Sequence, residues 1–449
     1  MDDSKTPTPD SNPVHEVQPK TAQGEPKTPA ELYTEADRLR EDARKLEAQA
    51  IELDSPPLCR EAATAIRNRN GKVAVFLGAG ASKTFGFPLT KDLLPIILRR
   101  LITEQLFEDS RINNTVAHAN ADDRALLKKA LMSLCPGLQV TQEFLTQNEF
   151  RLPLVTSLLS MLDFSLSAGQ SLVLGLTPER VKDARMLLER AIYEAIERDK
   201  PDGQTYWSAR TPNNLSTGLA KWVNGLREAS AVGVITSNYD VALEKAWGFD
   251  KGDRPSMEKL HLDFGFDWTW PSDSYPEIIM RRSVTPLRRL FKLHGSTNWL
   301  RCGLCDRIYI NPKVDIAVYA YDRRAGLANS CHCRHAKLEV QIVSPSFVRE
   351  MRAPNLIAVW QRALDWLRQA DDWIIIGYSF PDEDLNIRSL FTRGLASRNR
   401  PPHVTAIQYG KDEQTRMRYE AFFPFGKLEF LTGGLAMFLE NASVQATAQ

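Results

Sequence analysis

Apolar positions along this chain fall into runs of different period. Leu32, Leu39, Leu46 and Leu53 lie seven apart, and Ala36, Ala43 and Ala50 fall four after the first three leucines. Among Glu, Arg, Asp and Lys, this is a heptad with Leu at d and Ala at a, and it predicts a helix over 30–55. Small Ala lets two helices approach closely. The stripe therefore serves either homo-oligomer formation through 30–53 or packing on the protein's own body, and both stay open. Pro56-Pro57 breaks this helix. A helical run, CREAATAIRNRN, leads into Val73–Leu77, a continuous apolar run of the kind a buried parallel strand shows. From about 92 to 228 the period is helical, as in ERVKDARMLLERAIYEAIERD, with no clear strand. Strand-like runs return at 231–236, 290–293, 340–344, 373–378 and 403–409, with helical runs such as 356–369 between some of them. The pattern predicts an α/β fold, a Rossmann-like open parallel sheet carrying a helical insertion.

The ends read differently. Residues 1–29 hold six prolines among polar residues and predict a disordered tail, and 436–449 is read as a C-terminal tail, leaving 58–435 as the main domain. Composition narrows the class. Hydrophobic residues make up 43% and charged residues 25%, an ordinary globular balance. With 57 Lys+Arg against 56 Asp+Glu, the net charge of +1 excludes binding to nucleic acid through bulk positive charge. No stretch approaches the roughly 20 apolar residues of a membrane span. The acidic N-terminus lacks the apolar core of a secretory signal. The expectation is a soluble, cytoplasmic protein with no membrane contact.

Chemistry gathers where the predicted strands end. The first runs into Gly78-Ala79-Gly80-Ala81-Ser82, a loop in which glycine permits a tight turn and close backbone approach to a phosphate. The third glycine of the dinucleotide fingerprint is replaced by Lys83, so a purely structural turn is the competing reading. Gly86-Phe87-Pro88 adds a second turn signal. The run 234–240 ends in Ser237-Asn238-Tyr239-Asp240, the next strand in His294-Gly295-Ser296, and another in Gly377-Tyr378-Ser379. Singly, Asn238 reads as a turn former and His294 as a structural residue. Together these ends offer a phosphate loop, an Asn/Asp pair and a proton-transfer group where open α/β sheets place their sites.

The order GAGAS at 78–82, GFP at 86–88, TSNYD at 236–240 and LHGS at 293–296, followed by cysteine pairs, resembles the sirtuin (Sir2) superfamily. The resemblance implies that Gly78, Ala79, Gly80 and Ser82 lie against the pyrophosphate and ribose of NAD. It implies that Asn238 and Asp240 face the nicotinamide ribose and carboxamide, and that His294 acts as general base or orients a nucleophile. Gly377 and Ser379 match the late nucleotide-binding Gly-x-Ser. The departures point away from peptide deacylation: Leu89, Thr90 and Lys91 stand where deacylases have Asp-Phe-Arg, Ser237 replaces the Gln of Gln-Asn, and Ser344-Pro345-Ser346-Phe347 replaces Phe-Gly-Glu. The pattern is similar to the SIR2-like NADases of bacterial anti-phage defence. It implies a glycohydrolase that takes NAD as substrate and releases nicotinamide and ADP-ribose. The alternatives are an NAD-dependent deacylase or ADP-ribosyltransferase, and a non-catalytic NAD or ADP-ribose sensor. The resemblance names no trigger or partner protein.

Four of the six cysteines fall between 302 and 333. Cys302-Gly303-Leu304-Cys305 is a knuckle, and with Cys331 and Cys333 it predicts a structural Zn2+ in a small module at about 298–338. His332 or His335 replacing a thiolate, and four reduced thiols without metal, remain open. The aromatic run 264–270 is expected to close a loop over the domain or meet a partner. Asp382, Glu383 and Asp384 are explained by helix capping, and Cys59 and Cys135 by packing.

Overall fold

The computed structural model describes residues 56–107, 114–148, 151–169, 173, 175–198, 214–248, 262–270, 278–280, 288–310, 331, 333, 338–342, 353–396, 398–410, 412–423 and 428–443, with Arg38 and Asp42. The chain divides into two units, 1–54 and 55–449. In the first, Arg38 and Asp42 are helical and face each other at 4.0 Å. The tail at 1–29 and the remainder of the heptad segment lie outside the described residues.

The second unit begins with helix α1 (Pro56–Asn68) and strand β1 (Val73–Leu77), then the short α2 (Ala79–Thr84). Helices α3 (Thr90–Ile102), α4 (Asn114–Leu134), α5 (Gln142–Asn148), α6 (Val155–Ser167), α7 (Pro178–Arg198) and α8 (Asn214–Leu226) follow, with no strand among the described residues between them. Then come β2 (Val232–Thr236), α9 (Ala242–Ala246), β3 (Leu262–Asp263), β4 (Trp268–Trp270), β5 (Ile278–Met280), β6 (Arg288–Lys292), β7 (Gly295–Cys302), β8 (Ile308–Ile310) and β9 (Leu338–Ile342). The chain closes with α10 (Pro354–Gln369), β10 (Asp372–Ile376), α11 (Leu385–Ala396), β11 (His403–Ile407), α12 (Glu413–Phe422), β12 (Leu428–Leu431) and α13 (Gly434–Ser443).

A seven-stranded parallel sheet runs in the order β12-β11-β10-β1-β2-β6-β3. β1, β2 and β10 are buried along their whole length, which is why they read as continuous apolar runs. From β1 the chain builds toward β2 and β6, then returns to the other side of β1 with β10. The reversal puts a topological switch point between β1 and β10, the place where open sheets leave a crevice at their carboxyl ends. Trp366 of α10 locks the sheet from one face: its indole Nε1 donates to Val73 O at 3.0 Å, in space that only a glycine at 233 leaves.

Helices α3 to α7 have their own apolar core, which includes Leu127, Leu159 and Leu188, whereas α8 packs into the core of the sheet through Leu219, Trp222 and Val223. Arg185 bridges α6 and α7, reaching Asp163 at 2.8 Å and Glu189 at 2.5 Å. This core extends to the partly buried Phe85 and Tyr239, in the loops that follow β1 and β2, and to Val340 and Ile342 of β9.

Some sequence expectations need correction. The C-terminal tail does not start at 436: α13 continues to Ser443, with Phe438, Leu439 and Ala442 buried. Leu435, Phe438, Leu439 and Ala442 are spaced i, i+3, i+4, i+7, one helical face. Arg60 Nε ties that face to α1 by donating to Asn441 Oδ1 at 2.8 Å. The run at 340–344 yields β9, which pairs antiparallel with β7 in a separate sheet ordered β5-β4-β8-β7-β9. In the aromatic run 264–270, Phe264, Phe266 and Trp268 are core: Phe264 and Phe266 set their edges on buried Trp299, with centroids 5.4 and 5.0 Å away. Among the described residues, no helix is long and apolar enough to cross a membrane.

Candidate functional site

Four neighbouring strands, β10, β1, β2 and β6, deliver Gly377, Gly78, Asn238 and His294 to one edge of the sheet. The glycines there bring two loops into backbone contact. Gly78 N–H donates to Ile376 O at 2.9 Å, and Gly80 N–H to Gly377 O at 2.7 Å. A Cβ on Gly78 would sit 2.6 Å from Gly377 O, and one on Gly377, whose φ is 62°, would collide with Ala81 N. The family resemblance implies a pyrophosphate against Gly78 and Gly80 and a nucleotide at Gly377. In the fold, Gly80 uses its N–H to hold the β10 loop. Ala79 lies exposed at the start of α2.

The β2 loop is bound to the same place. Thr236 Oγ1 donates to Leu77 O at 3.0 Å and accepts the N–H of Asn238 at 3.0 Å. Asn238 Nδ2 donates to Gly78 O at 2.7 Å. Buried Ser82 donates its hydroxyl to Asp240 Oδ2, while Asp240 Oδ1 accepts from the N–H of Ala242 at 3.0 Å. Gly78, Gly80, Ser82, Asn238, Asp240 and Gly377 thus form one hydrogen-bonded constellation. Ser379 is exposed, and its carbonyl accepts from Arg418 Nε at 3.0 Å. The loop before it is anchored through Tyr378 O, which accepts from Tyr419 Oη at 2.6 Å and Gln408 Nε2 at 3.0 Å.

His294 joins through the backbone. Its Nδ1 lies 3.0 Å from Ser237 O. A carbonyl only accepts, so Nδ1 carries the hydrogen and, in the neutral ring, Nε2 carries the lone pair. The ring is buried between Tyr239 and Trp360, with centroids 6.1 and 6.3 Å away, and Trp360 Nε1 donates to Leu293 O at 2.8 Å. Packing and hydrogen bonding together fix the orientation that a proton acceptor needs.

Sequence reasoning missed a buried ion pair directly beneath. Lys292 Nζ lies 2.8 Å from Glu244 Oε1, with the two side chains 0% and 2% exposed. Burial holds the Glu244 carboxyl above the usual carboxylate range, and the Lys292 ammonium offsets only part of that rise. The available signal was a lysine ending an otherwise apolar strand just before the histidine.

The thiol cluster sits on the second sheet. Cys302, Cys305, Cys331 and Cys333 place all four Sγ atoms within 4.8 Å of one another. Cys302 and Cys333 approach to 3.5 Å, and Cys305 and Cys331 to 3.6 Å. A tetrahedral zinc with bonds of about 2.3 Å would space its sulfurs by roughly 3.8 Å, so the donor set and its spacing fit the metal. Burial opposes ionisation of Cys302, but the N–H groups of Cys305 and Leu304 and the neighbouring thiols outweigh it and bring the thiol to about 7. Cys333 is pushed up to about 12, first by its hydrogen bond with Cys331 and then by burial and the other thiols. Four thiol ligands would fill the coordination sphere, so such a metal would be structural. His332 and His335 lie outside the described residues.

The fold resembles several solved structures. One comes from work on the structural basis of sirtuin substrate affinity, at 12% identity, covering 86% of this chain and 97% of that one with a TM-score of 0.36. A second is a Sir2 with a p53 peptide and NAD+, at 14% identity, 86% and 98% coverage and a TM-score of 0.37. A third is a Sir2 homologue in complex with NAD, at 14% identity, 86% and 94% coverage and a TM-score of 0.37. No curated protein matches the chain significantly. The family profile of the SIR2-like domain matches residues 232–423, a span that holds Asn238, Asp240, His294, the four clustered cysteines and Gly377.

Proposed function

We propose that this chain is an NAD+ glycohydrolase that cleaves NAD to nicotinamide and ADP-ribose. The observation that carries the reading is the grouping of Asn238, Asp240 and an oriented His294 around the glycine loops at the switch point of the sheet. The glycosidic bond of NAD breaks through an oxocarbenium-like transition state, with its electron pair passing to nicotinamide. The protein's part is to hold the dinucleotide, stabilise the developing charge and deliver water to C1′. With one amide hydrogen given to Gly78 O, Asn238 would offer its Oδ1 and its second N–H to a ribose hydroxyl or the water. His294 Nε2 would take the proton as the water oxygen bonds to C1′. The Asp240 carboxylate, fixed by Ser82, contributes negative charge beside the reacting centre. Hydrolysis is favoured over deacylation because Leu89, Thr90, Lys91 and Ser344–Phe347 replace the residues that deacylating sirtuins place around an acyl-lysine peptide. Anti-phage defence is the biological setting the same resemblance implies.

Incubation of the purified chain with NAD, followed by chromatography, tests the reading. Free ADP-ribose and nicotinamide are expected from the wild type, and neither from Asn238→Ala or His294→Ala. Undiminished turnover in either variant removes the assignment. Acyl-ADP-ribose formed with an added acyl-peptide marks a deacylase, and saturable binding of unchanged NAD marks a sensor.

A further inference from the structure

Lys292 ends β6 with its side chain fully buried. An ammonium has three hydrogens to place, and three acceptors surround this one: Tyr239 O at 3.5 Å, Asp240 O, and Glu244 Oε1 at 2.8 Å. Two of them are successive backbone carbonyls of the loop that carries Asn238 and Asp240. Tyr239 O also accepts from Ser296 Oγ at 3.2 Å, from the N–H of Thr297 at 3.0 Å and from Thr297 Oγ1 at 3.4 Å. One short stretch of backbone is therefore gripped from both sides of His294, by the end of β6 and the start of β7.

Stability alone is a poor explanation for such a pair. Desolvating two charges costs about as much as their attraction returns, and an apolar pair of similar volume often serves the fold equally well. What an apolar pair cannot do is hold two carbonyl oxygens in place. His294 itself meets the β2 loop through the bond from Nδ1 to Ser237 O and the ring contact with Tyr239.

We propose that Lys292, with Glu244 as its buried counter-ion, is a positioning residue. It fixes the backbone of 239–240 and so sets Asn238 and Asp240 against His294, without touching substrate itself. The turnover consequence rests on the NADase reading, whereas the backbone consequence does not.

The test uses the full chain with Lys292→Met/Glu244→Gln, which leaves no unpaired buried charge. Hydrogen–deuterium exchange is followed over 237–241, with melting and NAD turnover in parallel. Exchange over 237–241 is expected to rise at least tenfold while β1, β2 and β10 stay protected. The turnover number is expected to fall at least tenfold with KM changed less than threefold, and Lys292→Arg to restore part of both. Unchanged exchange over 237–241 in a folded double variant overturns the proposal, as does loosening spread evenly through the sheet. Should the double variant not fold, Lys292→Arg and Glu244→Asp alter the reach of the pair while keeping its charges, and the same exchange criteria decide. Loosening confined to 237–241 in a protein whose wild type leaves NAD intact upholds the positioning role and removes the NADase reading instead.

Discussion

Gly80 donates its backbone N–H to the carbonyl oxygen of Gly377 across 2.7 Å, joining the loops that follow β1 and β10. Both sides of the switch-point crevice are thereby one piece. The contact explains glycine at three positions without invoking a ligand, since a Cβ at Gly78, Gly80 or Gly377 would strike the facing backbone.

Gly377→Ala is the sharpest probe of that contact. The position has φ of 62°, which costs a non-glycine residue roughly 1–2 kcal/mol before any collision, and here the new methyl also meets Ala81 N. A loss of about 2–4 kcal/mol in denaturant unfolding is expected, with ADP-ribose affinity lowered at least tenfold by calorimetry. Wild-type stability and affinity would show that the two loops part freely.

Ser82 and Asp240 make a second such link. Removing the hydroxyl by Ser82→Ala leaves a carboxylate oxygen without its donor, at a cost of about 1–3 kcal/mol. The expected result is a lower urea midpoint together with weaker NAD turnover. Asp240→Asn should reduce turnover more than Ser82→Ala, because it also removes the charge. Equal turnover in Asp240→Asn and wild type would take Asp240 out of the site.

Much of this was legible in the sequence because both signals were local. Val73–Leu77 and Asp372–Ile376 are buried along their length, so burial wrote itself as unbroken apolar runs at 73–77 and 373–376, and the residues that follow mark the carboxyl edge. Other features depended on distant partners. β7 carries Ser296, Thr297 and Asn298, which look like loop but are buried in the strand. Nothing near Lys292 in the sequence announces Glu244 and the two carbonyls that close around it. The hydrogen bonds that knit Asn238 to Gly78 and Ser82 to Asp240 span 160 and 158 residues of sequence, a separation no periodicity can report.

The thiol cluster makes a compositional prediction. If the four sulfurs hold zinc, elemental analysis of the purified chain should give about one zinc per chain. Cys331→Ser, at a buried ligand, should lower that below half. A strong chelator should free the second sheet, read as faster amide exchange over 299–310, while leaving β1 and β10 protected. A metal-free chain whose exchange there is insensitive to chelator would leave the cysteines as reduced thiols.

Asp412 supplies a prediction about pH. It caps α12, accepting from Thr415 Oγ1 at 2.5 Å and from the N–H of Gln414 at 3.1 Å, with Arg418 nearby at 3.9 Å. The Thr415 hydroxyl is the main cause holding its carboxyl below the usual range; burial opposes it, and the N–H groups of Thr415 and Gln414 and the Arg418 charge add to the lowering. A carboxyl depressed in the folded state binds protons more readily when unfolded. Its contribution is therefore complete above the unfolded value of about 3.9 and is lost as pH falls toward the folded value. Asp412→Ala should cost about 1 kcal/mol at pH 7, the usual worth of an N-cap. The gap between variant and wild type in urea midpoint should hold from pH 7 to about 5 and narrow below pH 4. A gap that stays constant down to pH 3.5 would mean that the ionised carboxylate is not what caps the helix.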